Sequence, residues 1–216
     1  MATRSHPQPT LRGWSHLVAF PLWLAAGGWL LWSSDVSPEH VRLLAIYVVG
    51  TGIMFGTSAL YHRPRWSTRA KALMQRFDRT AIYLAIAGGY TPVAWVCLHG
   101  HTRGIAMAIT WGGAALGMAL HWTPGVHRAL RGASYIVVSW IAVFTFPNLW
   151  HTLGVRGFTL ILAGGICYTL GALALALRTP DPWPTVFGYH EVFHAFTVIA
   201  ATLQFNAVAT TVVPLL

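Results

Sequence analysis

The sequence predicts an all-α integral membrane protein, a seven-transmembrane helix bundle with its N-terminus cytoplasmic and its C-terminus outside. Three observations carry that prediction: the composition, the spacing of long apolar runs, and the placement of the basic residues. Hydrophobic residues make up 55% of the 216-residue chain and charged residues 9%, whereas a soluble domain is roughly one quarter charged. So few charges cannot keep a folded surface in water, so lipid must cover much of it. The 11 tryptophans fit the same solvent, because indole rings favour the membrane–water interface.

A membrane helix needs about 20 apolar residues to cross the hydrocarbon core. Runs of that kind occur at 16–33, 41–62, 79–98, 104–122, 134–152, 157–177 and 188–212. None shows the period-2 alternation of a membrane β-barrel. The first run follows Arg4 and Arg12 and resembles a signal peptide, but Trp32-Ser33-Ser34-Asp35 offers no small-x-small cleavage site. It is expected to stay as the first helix. Pro21, Pro92 and Pro147 fall inside runs, which membrane helices tolerate when neighbours satisfy the freed carbonyls. Gly52/Gly56 and Gly113/Gly117 form GxxxG pairs, expected to serve packing within the chain. Cys97 and Cys167 lie in apolar runs without paired spacing and read as inert thiols. The whole chain, 1–216, reads as a single membrane domain.

Orientation follows from the connections. Arg4 and Arg12 precede the first run; Arg63, Arg65, Arg69, Lys71, Arg76 and Arg79 follow the second; Arg128, Arg131 and Arg178 lie in the next alternate gaps. The opposite set holds only Arg42, Arg103 and Arg156. By the positive-inside rule the first set is cytoplasmic. The same placement disposes of nucleic acid as a partner, because the net charge of +9 is spread over short loops. The basic connection at 63–78 contains a stretch, 66–77, that reads either as an amphipathic helix whose apolar side meets the acyl boundary or, equally, as a plain basic loop.

Ionisable side chains at membrane depth are costly and mark function. Of the five acidic residues, Asp35, Glu39 and Asp181 fall in loops, while Asp78 and Glu191 flank or enter runs. Ser58 and His62 are four apart at the end of the second run, and His190 and His194 are four apart at the start of the seventh. Residues at i and i+4 share a helix face, and two such imidazoles reach one metal. Alternating spans bring the end of the second, the start of the third (Asp78) and the start of the seventh to one side. His62, His190 and His194 are therefore the expected ligands of one Zn2+, with a fourth position left for water. Asp78 is the expected general base toward that water, and Ser58 an orienting hydroxyl. His6, His16, His40, His99, His101, His121, His127 and His151 are expected to be interfacial or capping residues. His190-Glu191-Val192-Phe193-His194 matches HExxH, but families using that motif take a third ligand farther along the chain. After His194 there is no His, Asp or Glu.

Together, Ser58-Ala-Leu-Tyr-His62, Asp78-Arg-Thr-Ala-Ile-Tyr83 running into Ala87-Gly-Gly-Tyr-Thr-Pro92, and His190-Glu-Val-Phe-His194 resemble the hemolysin III family, within the progestin and adipoQ receptor superfamily of seven-helix proteins. The likeness spans nearly the whole chain in order and spacing. It implies zinc on His62, His190 and His194 with Asp78 beside the water, and kinship with receptors and ceramidase-like hydrolases. The family pattern also places an acidic residue ahead of the first helix near a Thr-His pair; here Trp14-Ser15-His16 stands there, and residues 1–34 hold no acid. The leading expectation is a zinc-dependent hydrolase of lipid amide or ester bonds, linked to membrane homeostasis. Its substrate would enter laterally from the lipids of the bacterial inner (cytoplasmic) membrane. The alternative is a non-enzymatic homeostasis or receptor-like protein with a structural zinc, ahead of an intramembrane protease, a transporter or a pore.

Overall fold

A computed structural model describes residues 8–216; Arg4 and His6 lie outside the described residues. The regular elements are helices: α1 (Trp14–Ser33), α2 (Pro38–His62), α3 (Thr68–Cys97), α4 (Gly100–Trp122), α5 (Arg128–Trp140), a 3-10 turn (Ile141–Thr145), α6 (Phe146–Leu177) and α7 (Tyr189–Ala207). A π turn (Val208–Val212) and a short 3-10 turn (Val213–Leu215) prolong α7. Six helical stretches are long and apolar enough to cross a membrane, the fifth being the 50-residue segment Arg128–Leu177. The protein is thus a helical integral membrane protein.

Local chemistry sets the helix starts. Ser37 accepts a hydrogen bond from the His40 amide at 3.4 Å, with Pro38 in the first turn of α2. Ser67 does the same for the Ala70 amide at the start of α3, the usual way of satisfying an orphan N–H. Because of that cap, α3 begins at Thr68 rather than near 79, and the basic stretch runs uninterrupted into the apolar span.

The segment from Arg128 to Leu177 would be about 75 Å long as a straight helix, more than twice the ~30 Å hydrocarbon core. It folds back instead. Gly154 has φ 64° and ψ −175°, a left-sided conformation that glycine adopts without a Cβ penalty, within the expected gap at 153–156. The two arms then meet: Phe158 packs edge-on to Phe146 and Trp150 at 5.2 and 5.3 Å. Farther along, the Trp140 indole donates to Thr169 Oγ1 at 3.0 Å.

Close backbone approach defines the densest part of the fold. A Cβ on Gly50 would sit 2.5 Å from the Leu84 carbonyl oxygen, and one on Gly88 2.8 Å from that of Ile46, so α2 and α3 touch main chain to main chain. The GxxxG pairs also serve contacts within the chain. Gly52 and Gly56 receive Trp23 and Phe20 of α1, while Gly113 and Gly117 receive Val138 of α5 and Tyr83 of α3. Small residues let membrane helices pack where no hydrophobic force drives them together.

Candidate metal centre

Three elements deliver the site to one end of the bundle. His62 is the last residue of α2, and His190 and His194 occupy the first two turns of α7. Their imidazoles converge. His62 Nε2 and His190 Nε2 are 3.2 Å apart, ring centroids lie 4.6–5.1 Å from one another, and one nitrogen from each ring falls within 4.8 Å of the others. His62, His190 and His194 therefore form a group that can hold a metal ion. Its chemistry fits one. Nitrogens ~2.0–2.1 Å from a tetrahedral zinc stand about 3.4 Å apart, close to the His62–His190 separation, and no carboxylate belongs to the group among the described residues.

Asp78 and Ser58 flank this group. Ser58 is buried one turn before His62, with its hydroxyl beside the Asp78 carboxyl. Both line the same cavity as the three histidines. Asp78 is not among the residues whose ligand atoms converge.

His16, expected at the interface or in a cap, is instead 2% exposed and stacks on His194, with centroids 3.9 Å apart and planes 16° from parallel. Phe55 closes its other side edge-on at 5.1 Å, and neither His16 ring nitrogen has a hydrogen-bond partner. The reading failed because a single histidine at the head of an apolar run carries no periodic signal; only the docking of α1 on α7 buries it. The Ser-His pair at 15–16 was the one available hint. His121 departs from expectation in the same way. It is buried in α4, with Nδ1 donating to the Gly117 carbonyl at 3.0 Å and Nε2 2.8 Å from the Tyr135 hydroxyl. His127 does cap α5, accepting from the Ala129 amide.

Glu191, the central acid of the HExxH match, is not part of the converging histidine group. It is 3% exposed, pairs with the Arg12 guanidinium and accepts from the Gly188 amide at 2.9 Å. It closes the start of α7 as the acid of a capping box. Arg12 anchors the N-terminal segment there, and the Thr10 and Leu11 amides bond to the Thr185 and Val186 carbonyls at 3.0 and 3.1 Å. Gly13, at φ 77°, then turns the chain into α1, where a Cβ would strike His62 Cβ at 2.5 Å.

Fold and site together define a helical integral membrane protein with a triple-histidine centre at one end of its bundle. The sequence matches the family described as Haemolysin-III related over residues 4–205, and the chain belongs to that family. It is similar to Hemolysin-3 of Bacillus cereus, with 29% identity over 84% of this chain and 80% of the relative. A Hemolysin-3 homolog of Bacillus subtilis (strain 168) is 27% identical over 76% of this chain and 74% of its own length.

Proposed function

We propose that this protein is a zinc-dependent hydrolase of lipid amide or ester bonds in the bacterial inner membrane. In this reading the segment Arg128–Leu177 crosses twice about its Gly154 turn, giving seven crossings with the N-terminus and the histidines on the cytoplasmic side. One observation supports it above the others: three converging imidazoles, an adjacent carboxylate and a buried hydroxyl all face one cavity of about 1390 Å³. That exceeds the roughly 300–1,000 Å³ of an ordinary ligand pocket.

His62, His190 and His194 would hold the ion through neutral ring nitrogens. A divalent ion there supplies Lewis acidity, polarising a substrate carbonyl and acidifying water towards a pKa of ~7. The chain's own residues do the rest. Asp78 takes a proton from the attacking water on its carboxylate oxygen and returns it to the departing amine or alkoxide. Ser58 holds the Asp78 carboxyl in line. His16, wedged between Phe55 and His194, fixes the plane of the His194 ring, and outer partners of that kind set ligand geometry.

A second reading has its own support. α2 packs chiefly on α1 and α3 and α7 on α6, so a metal held by His62, His190 and His194 would tie α2 to α7 beside the direct packing of α1 on α7, as a structural clip does. Asp78→Asn separates the two. With a fluorescent long-chain amide or ester as substrate, the hydrolase reading expects turnover to fall at least about 100-fold, the scale of a lost general base, with zinc content unchanged. A clip expects no turnover in either protein and a thermal midpoint that falls on chelation. Undiminished turnover in Asp78→Asn would contradict the assigned base.

A further inference from the structure

The cavity below the histidines is two-faced. Its inner wall is mostly apolar, with Ile82, Val93, Leu149, Ile161 and Val208 drawn from α3, α6 and the turn after α7, interrupted by a few polar side chains such as Thr197 and Gln204. Eight basic residues from both sides of the bundle line the cavity as well: Arg12, Arg63, Arg65, Lys71, Arg79, Arg128, Arg131 and Arg178. Asp78 is the one acid lining it among the described residues. The one ion pair among them, Arg12–Glu191, occupies only Arg12. The other seven basic groups of the lining form no ion pair with an acid among the described residues. Arg131 shows this at atomic scale: one terminal nitrogen donates to the Thr123 carbonyl at 2.8 Å, while Nε is shielded from solvent without a partner.

Basic residues at a membrane face ordinarily serve the bulk headgroup surface. Here the distribution separates two populations. Arg69 and Arg76 of α3 do not line the cavity, and Arg76 lies over the Trp122 ring. Arg79, one turn on, lines it together with groups from α5 and the end of α6. Convergence from separate elements on one cavity is what a bound anion needs and what a diffuse surface potential does not. A mostly apolar shaft in that cavity needs an acyl chain to fill it.

We infer that the cavity binds an acyl lipid with an anionic, phosphate-class head: chain in the shaft, head among Arg79, Arg128, Arg131 and Lys71, and the bond near the head beside the histidines. This names the substrate class of the proposed hydrolase, and rests on that reading only for turnover; binding is tested without it.

The test titrates the full-length protein in neutral detergent with three probes, followed by tryptophan fluorescence. The probes are lysophosphatidic acid, lysophosphatidylcholine of the same chain length, and inorganic phosphate. The expected result is saturable binding of lysophosphatidic acid at least 10-fold tighter than lysophosphatidylcholine. Arg79→Gln and Arg131→Gln should each weaken it about 5- to 10-fold, the scale of one lost basic contact. Arg69→Gln and Arg76→Gln should leave it unchanged, and unchanged thermal midpoints confirm folding in all four. Equal affinity for the two lipids, or equal weakening by the outer pair, would overturn the inference. Phosphate displacing the lipid at comparable concentration would reduce the site to an anion site and overturn its lipid part. Chelated protein is titrated alongside. Head-selective binding without any hydrolysis would sink the hydrolase reading alone, while hydrolysis of neutral lipid amides without head selectivity would sink this inference alone.

Discussion

The two flanks of the cavity are built differently. On one side α3 buries 12 of its 30 residues and meets α2 at the Gly50 and Gly88 backbone contacts. On the other, α5 buries only Val138 of its 13 residues, is followed by a 3-10 turn, and hands over to the broken helix α6. The dense flank carries Ser58, His62 and Asp78; the sparse flank carries Arg128 and Arg131. Catalytic geometry needs ligands fixed to fractions of an ångström, and close helix packing supplies that. The proposed lateral entry of lipid calls for the opposite, and segments with few buried contacts are where local opening costs least.

Substitutions on the two flanks can break this contrast. The largest effect is expected for Gly50→Ala, whose new Cβ would meet the Leu84 carbonyl at 2.5 Å. Overpacking of that kind costs about 1–3 kcal/mol, so the thermal midpoint in detergent should fall and zinc retention with it. An unchanged midpoint would show that α2 and α3 can separate freely. Next comes His16→Ala, expected to lower zinc affinity about 10-fold, the usual scale for an outer partner of a metal ligand, as measured by competition with a chelating dye. His16→Phe keeps the ring stack and should restore most of it; equal loss in both variants would place the effect on the His16 nitrogens instead. The smallest is Gly132→Ala in α5, where a Cβ would have nothing within 4 Å. Replacing a helix-interior glycine there should raise stability by up to about 0.5–1 kcal/mol. Marked destabilisation would mean that α5 packs more tightly than its exposure suggests.

What the sequence made legible follows the range of the interactions involved. Apolar runs are local, and the gap at 153–156 anticipates the Gly154 turn. The i, i+4 pairs in α2 and α7 and the shared side of Asp78 led to the histidine group by spacing alone. Other features depend on partners far apart in the chain. His16 meets His194 only through the docking of α1, and Arg12 meets Glu191 across 179 positions. No periodicity near either residue encodes those encounters. The first turns of α3 fall within the amphipathic stretch at 66–77, but their continuity with the apolar span was hidden, because hydropathy marks where a helix enters lipid rather than where it begins.

The central claim is that His62, His190 and His194 form one metal centre, and elemental mass spectrometry of the detergent-purified protein tests it most directly. Wild type should carry about one zinc per chain, and His62→Ala, His190→Ala and His194→Ala should each lose it while remaining monodisperse, as expected when a ligand is removed from a three-histidine site. Zinc retained in any two of these variants, or a folded wild type without metal after zinc loading, would contradict the account.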